Sequence, residues 1–257
     1  MEPNQSGIIV KSPKEISIMR EAGGIVAATM DLLVRSMHPG IKTRELDSIA
    51  GKEIKRLGAK PSFKGYRGFP ANLCVSINEE LVHGIPSDRV IREGDIVSLD
   101  LGAIVGGYHG DAAVTVAVGK VDPEADRLIE VTRLSLELAI QHAKAGNRVG
   151  DISTAVQQFG EARGYGVVRE YVGHGIGKAL HEEPSIPNVG EPGKGPLLRP
   201  GMTIAIEPML NHGTWQTRTL EDGWTVVTAD GELSAHFEHT VAITEDGPQL
   251  LTSLNGS

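Results

Sequence analysis

The chain is poor in the residues that build covalent or aromatic scaffolds. One cysteine, Cys74, stands among 257 residues, so an intrachain disulfide is excluded and a reducing, cytoplasmic setting is expected. Aromatics are few: two tryptophans, four tyrosines and four phenylalanines. No stretch approaches the roughly 20 apolar residues that span a bilayer, so no membrane association is expected. Met1–Lys11 has no positively charged start followed by an apolar stretch, so no secretory signal is expected. Positive charge is in deficit: 25 Lys and Arg against 33 Asp and Glu leave a net charge of −8, which argues against a specific nucleic-acid partner. Low-complexity linkers are missing too, and the length suffices for a substantial core.

Against these deficits stand acidic residues in particular places. Asp100 closes the run Asp95-Ile96-Val97-Ser98-Leu99-Asp100, and Asp111 opens Ala112-Ala113-Val114-Thr115-Val116. His174 lies in Gly173-His174-Gly175-Ile176-Gly177, Glu207 ends an apolar run at Pro208, and Glu238 follows Phe237. Residues 95–103 and 108–118 read as a hairpin around Gly106-Gly107. Strand alternation then puts Asp100 and Asp111 on one face, directly opposite or diagonal, with β-carbons roughly 4.5–8 Å apart. The same parity places Glu207 and Glu238 on the more polar faces of two further strands. Bare carboxylates this close repel, and some take up protons instead of ionising. Two divalent cations relieve the conflict, because four carboxylates and one neutral imidazole nearly balance their charge. An oxygen-rich set with one nitrogen suits Mn, Fe, Co or Zn. Ion pairs bridged by a carboxylate activate a shared water for hydrolysis. Taken singly, each acid also reads as a cap, a turn former or a surface residue.

The remainder of the chain follows a repeated plan. Ser12-Pro13-Lys14-Glu15 is a capping box with proline at the first helical position. Its helix supplies Ile16, Met19, Ile25, Val26 and Leu33 to the core and ends at His38-Pro39-Gly40. A second helix from Thr43 carries Leu46, Ile49, Ala50, Ile54 and Leu57 on one stripe and stops at Gly58. Strands follow to about Gly119, and then the pattern recurs. Asp122-Pro123-Glu124 opens a long helix ending near Gly146, and Asp151 opens a shorter one with Ile152, Ala155, Val156 and Phe159 inward, ending at Gly164. His83-Gly84-Ile85 in the first half is echoed by His174-Gly175-Ile176 in the second. These signs predict a degenerate duplication whose halves meet at the acidic cluster. The junction falls near 119–123, within a single domain over 12–252 that follows a tail at 1–11.

Six segments taken together resemble the type I methionine aminopeptidases: Leu81-Val82-His83-Gly84-Ile85-Pro86, Gly110-Asp111, Gly173-His174-Gly175-Ile176-Gly177, His181-Glu182-Glu183-Pro184, Ile206-Glu207-Pro208-Met209 and Phe237-Glu238-His239-Thr240. The resemblance runs in order from about Ser12 to Leu251. It implies an α/β (α+β) pita-bread fold, two pseudo-symmetric halves of helices packed on a curved, mainly antiparallel sheet. It also implies hydrolytic removal of the initiator methionine from nascent proteins and peptides, with a small second residue preferred. Asp100 then resembles the bidentate ligand of one ion, Asp111 and Glu238 the bridging carboxylates, and His174 and Glu207 the remaining ligands of the other. The resemblance further implies that a metal-activated water would attack the first peptide carbonyl and that Glu207 would relay a proton to the leaving nitrogen. His181 resembles the oxyanion donor, and His83 the histidine that contacts the scissile amide nitrogen.

Positions matching the methionine pocket are Tyr66, Phe69, Cys74, Leu180 and Trp224, with His83 at the rim, an apolar lining suited to a thioether. Two residues depart from the family pattern. Leu180 stands where many relatives carry an aromatic, and His236 where glutamine commonly precedes the phenylalanine–glutamate pair. His38 and His142 read as helix-surface residues, and His109, His212 and His239 as loop or strand residues with local hydrogen bonds. Lys52, Lys55, Arg56, Lys60, Lys64 and Arg67 concentrate positive charge near the expected pocket entrance, a patch for transient ribosome contact or simply a solvated face. Three rival readings remain: a prolidase-type enzyme with the same fold and ligands, a non-catalytic binding module of the same fold, in which the ligands are typically replaced, and a metal store.

Overall fold

The computed structural model describes residues 7–253, so the first six residues of the expected tail lie outside the described residues. Helix α1 (Pro13–Ser36) and helix α2 (Thr43–Arg56) precede β1 (Lys60–Pro61), a short helical turn (Tyr66–Gly68), β2 (Cys74–Ile77), β3 (Glu80–Val82), β4 (Ile96–Val105) and β5 (Tyr108–Ala117). A second helix pair, α3 (Pro123–His142) and α4 (Val149–Glu161), leads into β6 (Gly166–Val167), β7 (Gly173–Gly175), β8 (Glu182–Ile186), β9 (Thr203–Ile206) and β10 (Met209–Asn211). The chain closes with β11 (Thr217–Thr219), β12 (Val226–Thr228), β13 (Ser234–His236), β14 (Glu238–Thr244) and β15 (Gly247–Leu250).

Local chemistry explains where the helices begin. Ser12 and Glu15 close the capping box, with the Ser12 backbone N–H donating to Glu15 Oε2 at 2.8 Å and Pro13 first in the helix. α4 starts at Val149, two residues before the expected Asp151. The reason is that Asp151 caps from inside the first turn: its carboxylate accepts from Arg148 N and Gly193 N, both at 2.7 Å. α1 stops at Ser36, so His38 lies in the following turn and not on the helix surface. The segment read as a tail is attached over its described part. Ile8 bridges Glu183, Lys11 N donates to Gly201 O, and Lys11 Nζ forms a buried ion pair with Glu182 at 2.6 Å.

Nine strands form the central sheet in the order β1-β4-β5-β14-β9-β7-β8, with β2 beside β4 and β15 beside β14. Its ladders are all antiparallel. α1 and α2 cover one half, burying Val26, Leu33, Leu46 and Ile54 against Ile77, Val97 and Leu99. α3 and α4 cover the other, burying Leu128, Leu136, Ile152 and Val156 against Ile204, Ile206 and Val241. One helix pair thus covers each half of a single curved sheet. No helix among the described residues is long and apolar enough to cross a membrane.

Candidate metal centre

Five adjacent strands deliver the five residues singled out as ligands. Gly106 and Gly107 form a two-residue turn with φ of 55° and 82°, the left-handed pair a type I′ hairpin requires. That turn sets Asp100 opposite Ala113 and Gly102 opposite Asp111, so the two carboxylates are diagonal on one face. β14 pairs with β5 so that Glu238 faces Ala113. β9 pairs with β14, Thr240 opposite Ala205, and Glu207 lies one residue past its end. β7 sets His174 against Ala205 from the other side. Ligand atoms of Asp111, His174 and Glu238 lie within 4.8 Å of one another. His174 Nε2 is 3.6 Å from Glu207 Oε1.

These residues form one end of a cavity of about 170 Å³. Tyr66, Phe69, Cys74, His83, Leu180, His181 and Trp224 line the remainder, with Phe63 and Arg67. Phe69 and Trp224 meet edge to face at 5.1 Å, and Leu180 and Cys74 are buried beside them. Phe63 was not marked by sequence, since a lone apolar residue between Ser62 and Lys64 carries no periodicity; Arg67 was visible only as part of the basic patch. A further contact was not legible at all: Tyr66 Oη lies 2.7 Å from His181 Nδ1, and the two rings stack at 5.2 Å. Drug-sized ligands generally occupy about 300–1,000 Å³, so this space suits a single side chain.

The echoed His-Gly pairs have one physical cause. A Cβ on Gly84 would meet Val75 O at 2.2 Å, and one on Gly175 would meet Glu183 O at 2.1 Å. Each histidine is thus delivered by backbone packed directly against a neighbouring strand's carbonyl. His83 itself has φ 61°, a strained value for a residue with a side chain. Gly175→Ala forces two strands apart beside His174. The expected loss is about 1–3 kcal/mol, read as a fall in Tm of roughly 2–4 °C per kcal/mol at this chain length.

The electrostatics of the cluster favour cations. Burial pushes the Asp100 carboxyl well above the usual range, with repulsion from Asp111 and Glu207 adding to it. Glu238 rises for the same reasons, burial first and then Asp111, Glu207 and Asp100; Glu207 rises through burial and Asp111. Burial raises Asp111 to about 7, against the hydrogen bonds from the Ala112 backbone and Asp100. Asp100 Oδ1, Asp111 Oδ1 and Glu238 Oε1 are buried without a hydrogen-bond partner among the described residues. Orphaned buried oxygens are rare in native proteins and call for a hydrogen-bond donor or a cation. His174 Nδ1 lies 2.9 Å from Gly175 O, and donation there leaves the Nε2 lone pair free to ligate. Burial lowers the His174 pKa to about 4, keeping the ring neutral. The donor set fits divalent cations.

The other histidines serve local structure. His109 Nδ1 is 2.9 Å from Ser62 Oγ, His212 Nδ1 is 3.1 Å from Glu232, and His239 Nδ1 is 2.8 Å from Thr252 Oγ1. Lys52, Lys55, Arg56, Lys60, Lys64 and Arg67 are all exposed, and Arg56 is paired with Glu53 at 2.7 Å.

Comparison with known proteins agrees with this geometry. The model of metallopeptidase family M24 matches residues 17–245. Methionine aminopeptidase 1 of Bacillus subtilis is 56% identical over 245 residues, covering 95% of this chain and 99% of that protein. The chain belongs to metallopeptidase family M24. Within M24 it groups with the type I methionine aminopeptidases. The crystal structure of a methionine aminopeptidase from Thermotoga maritima superposes with a TM-score of 0.95 at 48% identity, covering 96% of this chain and 99% of that one. A prolidase from Pyrococcus furiosus gives 0.79 at 27%, covering 95% of this chain but 65% of the prolidase. The curled antiparallel sheet carrying two helix pairs is accordingly the pita-bread fold of this M24 chain.

Proposed function

We propose that this M24 chain hydrolyses the peptide bond after an N-terminal methionine, in peptides and nascent proteins, with two divalent ions held by Asp100, Asp111, His174, Glu207 and Glu238. The observation that carries the reading is the convergence of these five side chains, from five adjacent strands, on an apolar cavity sized for one side chain. Co, Mn, Fe and Zn all suit the donor set. When bound, the ions supply Lewis acidity at the scissile carbonyl and a water acidic enough to attack near neutral pH.

The chain's own groups do the rest. Phe69, Trp224, Cys74 and Leu180 take the methionine side chain out of water, and Tyr66 closes the cavity towards His181. His83, held at the rim by its left-handed backbone, contacts the scissile amide nitrogen. His181 donates to the carbonyl oxygen as negative charge builds there. Glu207 moves a proton to the leaving nitrogen. A small second residue is preferred. The reading further comprises a single domain over 12–252, a cytoplasmic setting and a transient ribosome contact through the basic patch. Co-sedimentation with ribosomes that survives reversal of those charges disposes of the last point.

The deciding experiment strips the protein with a chelator and re-supplies Co, Mn, Fe or Zn one at a time. Hydrolysis of a short Met-Ala peptide is expected to return with metal, and prolyl peptides are expected to remain uncut. Metal-independent cleavage, or preference for the prolyl panel, overturns the reading. One contact sharpens it. With Tyr66 Oη donating to His181 Nδ1, the hydrogen of the neutral ring sits on Nε2. Tyr66→Phe loosens that tautomer, so kcat is expected to fall by about 10-fold, the low end of the effects of outer supporting groups. KM should change little, as steady-state kinetics on the Met-Ala peptide would show.

A further inference from the structure

His236 ends β13 with its backbone clamped on both sides by Thr115 of β5. The His236 N–H donates to Thr115 Oγ1, and Thr115 Oγ1 donates to His236 O, both at 2.8 Å. Phe237 alone separates it from Glu238, the first residue of β14. The imidazole is 1% exposed, and its Nε2 has no hydrogen-bond partner among the described residues. That nitrogen lies 3.7 Å from Glu207 Oε2, while the other oxygen, Oε1, lies 3.6 Å from His174 Nε2. The Glu207 carboxylate is therefore bracketed by two imidazole nitrogens, one at each oxygen.

The two nitrogens cannot play the same part. His174 donates through Nδ1 to Gly175 O, so its Nε2 is a lone pair. With cations bound the Glu207 carboxylate is ionised and only accepts, so the buried His236 nitrogen facing it is favourable only when it carries hydrogen. We infer that His236 is a positioning residue whose Nε2–H donates to Glu207 Oε2, holding that oxygen and reserving Oε1 for the cation beside His174. The present 3.7 Å exceeds the 2.7–3.2 Å of an N–H···O bond. A small rotation of the Glu207 carboxylate would close the gap, whereas the His236 backbone is held by Thr115. A glutamine amide offers the same N–H from a similar reach; a leucine fills the volume and offers none. This inference rests on the reading of Glu207 as a ligand.

The test compares the full-length wild type with His236→Gln and His236→Leu, using Co(II) and Mn(II) as probes. Chelator competition gives the affinities, the visible spectrum of the Co(II) forms gives the coordination, and thermal denaturation is measured without metal. His236→Leu is expected to bind metal about 10–100-fold more weakly, the range for loss of an outer-shell partner, and His236→Gln within a few-fold of wild type. The Co(II) spectrum should keep its shape in His236→Gln, and kcat should fall in His236→Leu with KM unchanged. Wild-type affinity in His236→Leu overturns the proposal while leaving Glu207 a ligand. Equal weakening in both variants with an altered Co(II) spectrum also overturns it, because His236 is then itself a ligand. A wild type that binds neither ion removes the reading of Glu207 and the inference together. Should His236→Leu fail to fold, His236→Asn, whose amide is one methylene shorter, replaces it with the same expectation.

Discussion

Glu238→Ala and Asp111→Ala are expected to abolish hydrolysis while leaving the fold largely intact. Both carboxylates are buried, each with an oxygen that has no hydrogen-bond partner among the described residues. Neither side chain therefore supports the metal-free structure through hydrogen bonds from that oxygen, and each is raised against ionisation by burial. Removing one leaves a small void but relieves repulsion, so the metal-free variants should melt at or above the wild-type temperature. The same change strips a bridging ligand. A cation worth several kcal/mol of transition-state stabilisation corresponds, at about 1.4 kcal/mol per tenfold, to a loss of roughly 10³ or more in kcat. Metal at a hundredfold excess over its Kd should stabilise the wild type by about 2.7 kcal/mol, and this gain should shrink in both variants. Substantial turnover with metal restored would remove that carboxylate from the mechanism.

The Asp111 carboxyl adds a pH signature in the chelated protein. Its pKa is raised from 3.8 to about 7, so the folded state holds this proton more tightly than the unfolded chain. That contribution to stability is fully present below about 3.8 and is lost as pH rises through about 7. The chelated wild type should therefore lose stability between pH 5 and pH 8. The loss should be smaller in Asp111→Ala, and melting curves at the two pH values would show the difference.

Local rules reached much of this architecture. The capping box at Ser12 and the proline at Asp122-Pro123 mark helix starts by chemistry contained within four residues. The Gly106-Gly107 turn and the alternation on either side of it left two pairings for Asp100 and Asp111, and the turn type chose the diagonal one. Other features depend on partners more than 100 residues away, which no local period encodes. Glu238 lies beside Ala113, Tyr66 meets His181, and Lys11 is buried against Glu182 only because the sheet order β5-β14-β9-β7-β8 brings distant segments together. The resemblance to a known family named the residues at the centre. It did not supply the contacts that orient them, and His236 facing Glu207 became visible only in three dimensions.

His181→Ala is expected to slow turnover by about 10²–10³ while changing KM only a few-fold, the signature of a donor that acts as charge develops. The ring is placed for this and for little else. Its edge reaches solvent at the rim, yet its faces are taken by Tyr66 at 5.2 Å and His174 at 4.2 Å between ring centres. Desolvation between those neighbours comes first, with the electrostatic influence of His174 and Arg67 adding to it, and lowers its pKa to about 3. The imidazole therefore stays neutral across the working pH range and offers one N–H. A neutral donor gains little from a ground-state carbonyl and more from an oxyanion, so its loss should appear in kcat. Loss of affinity with unchanged kcat would assign His181 to substrate binding instead. Because Tyr66 acts through the same ring, the two effects should not add. Tyr66→Phe combined with His181→Ala should be no slower than His181→Ala alone. A further drop in the double variant would mean that Tyr66 serves the methionine pocket by a separate route.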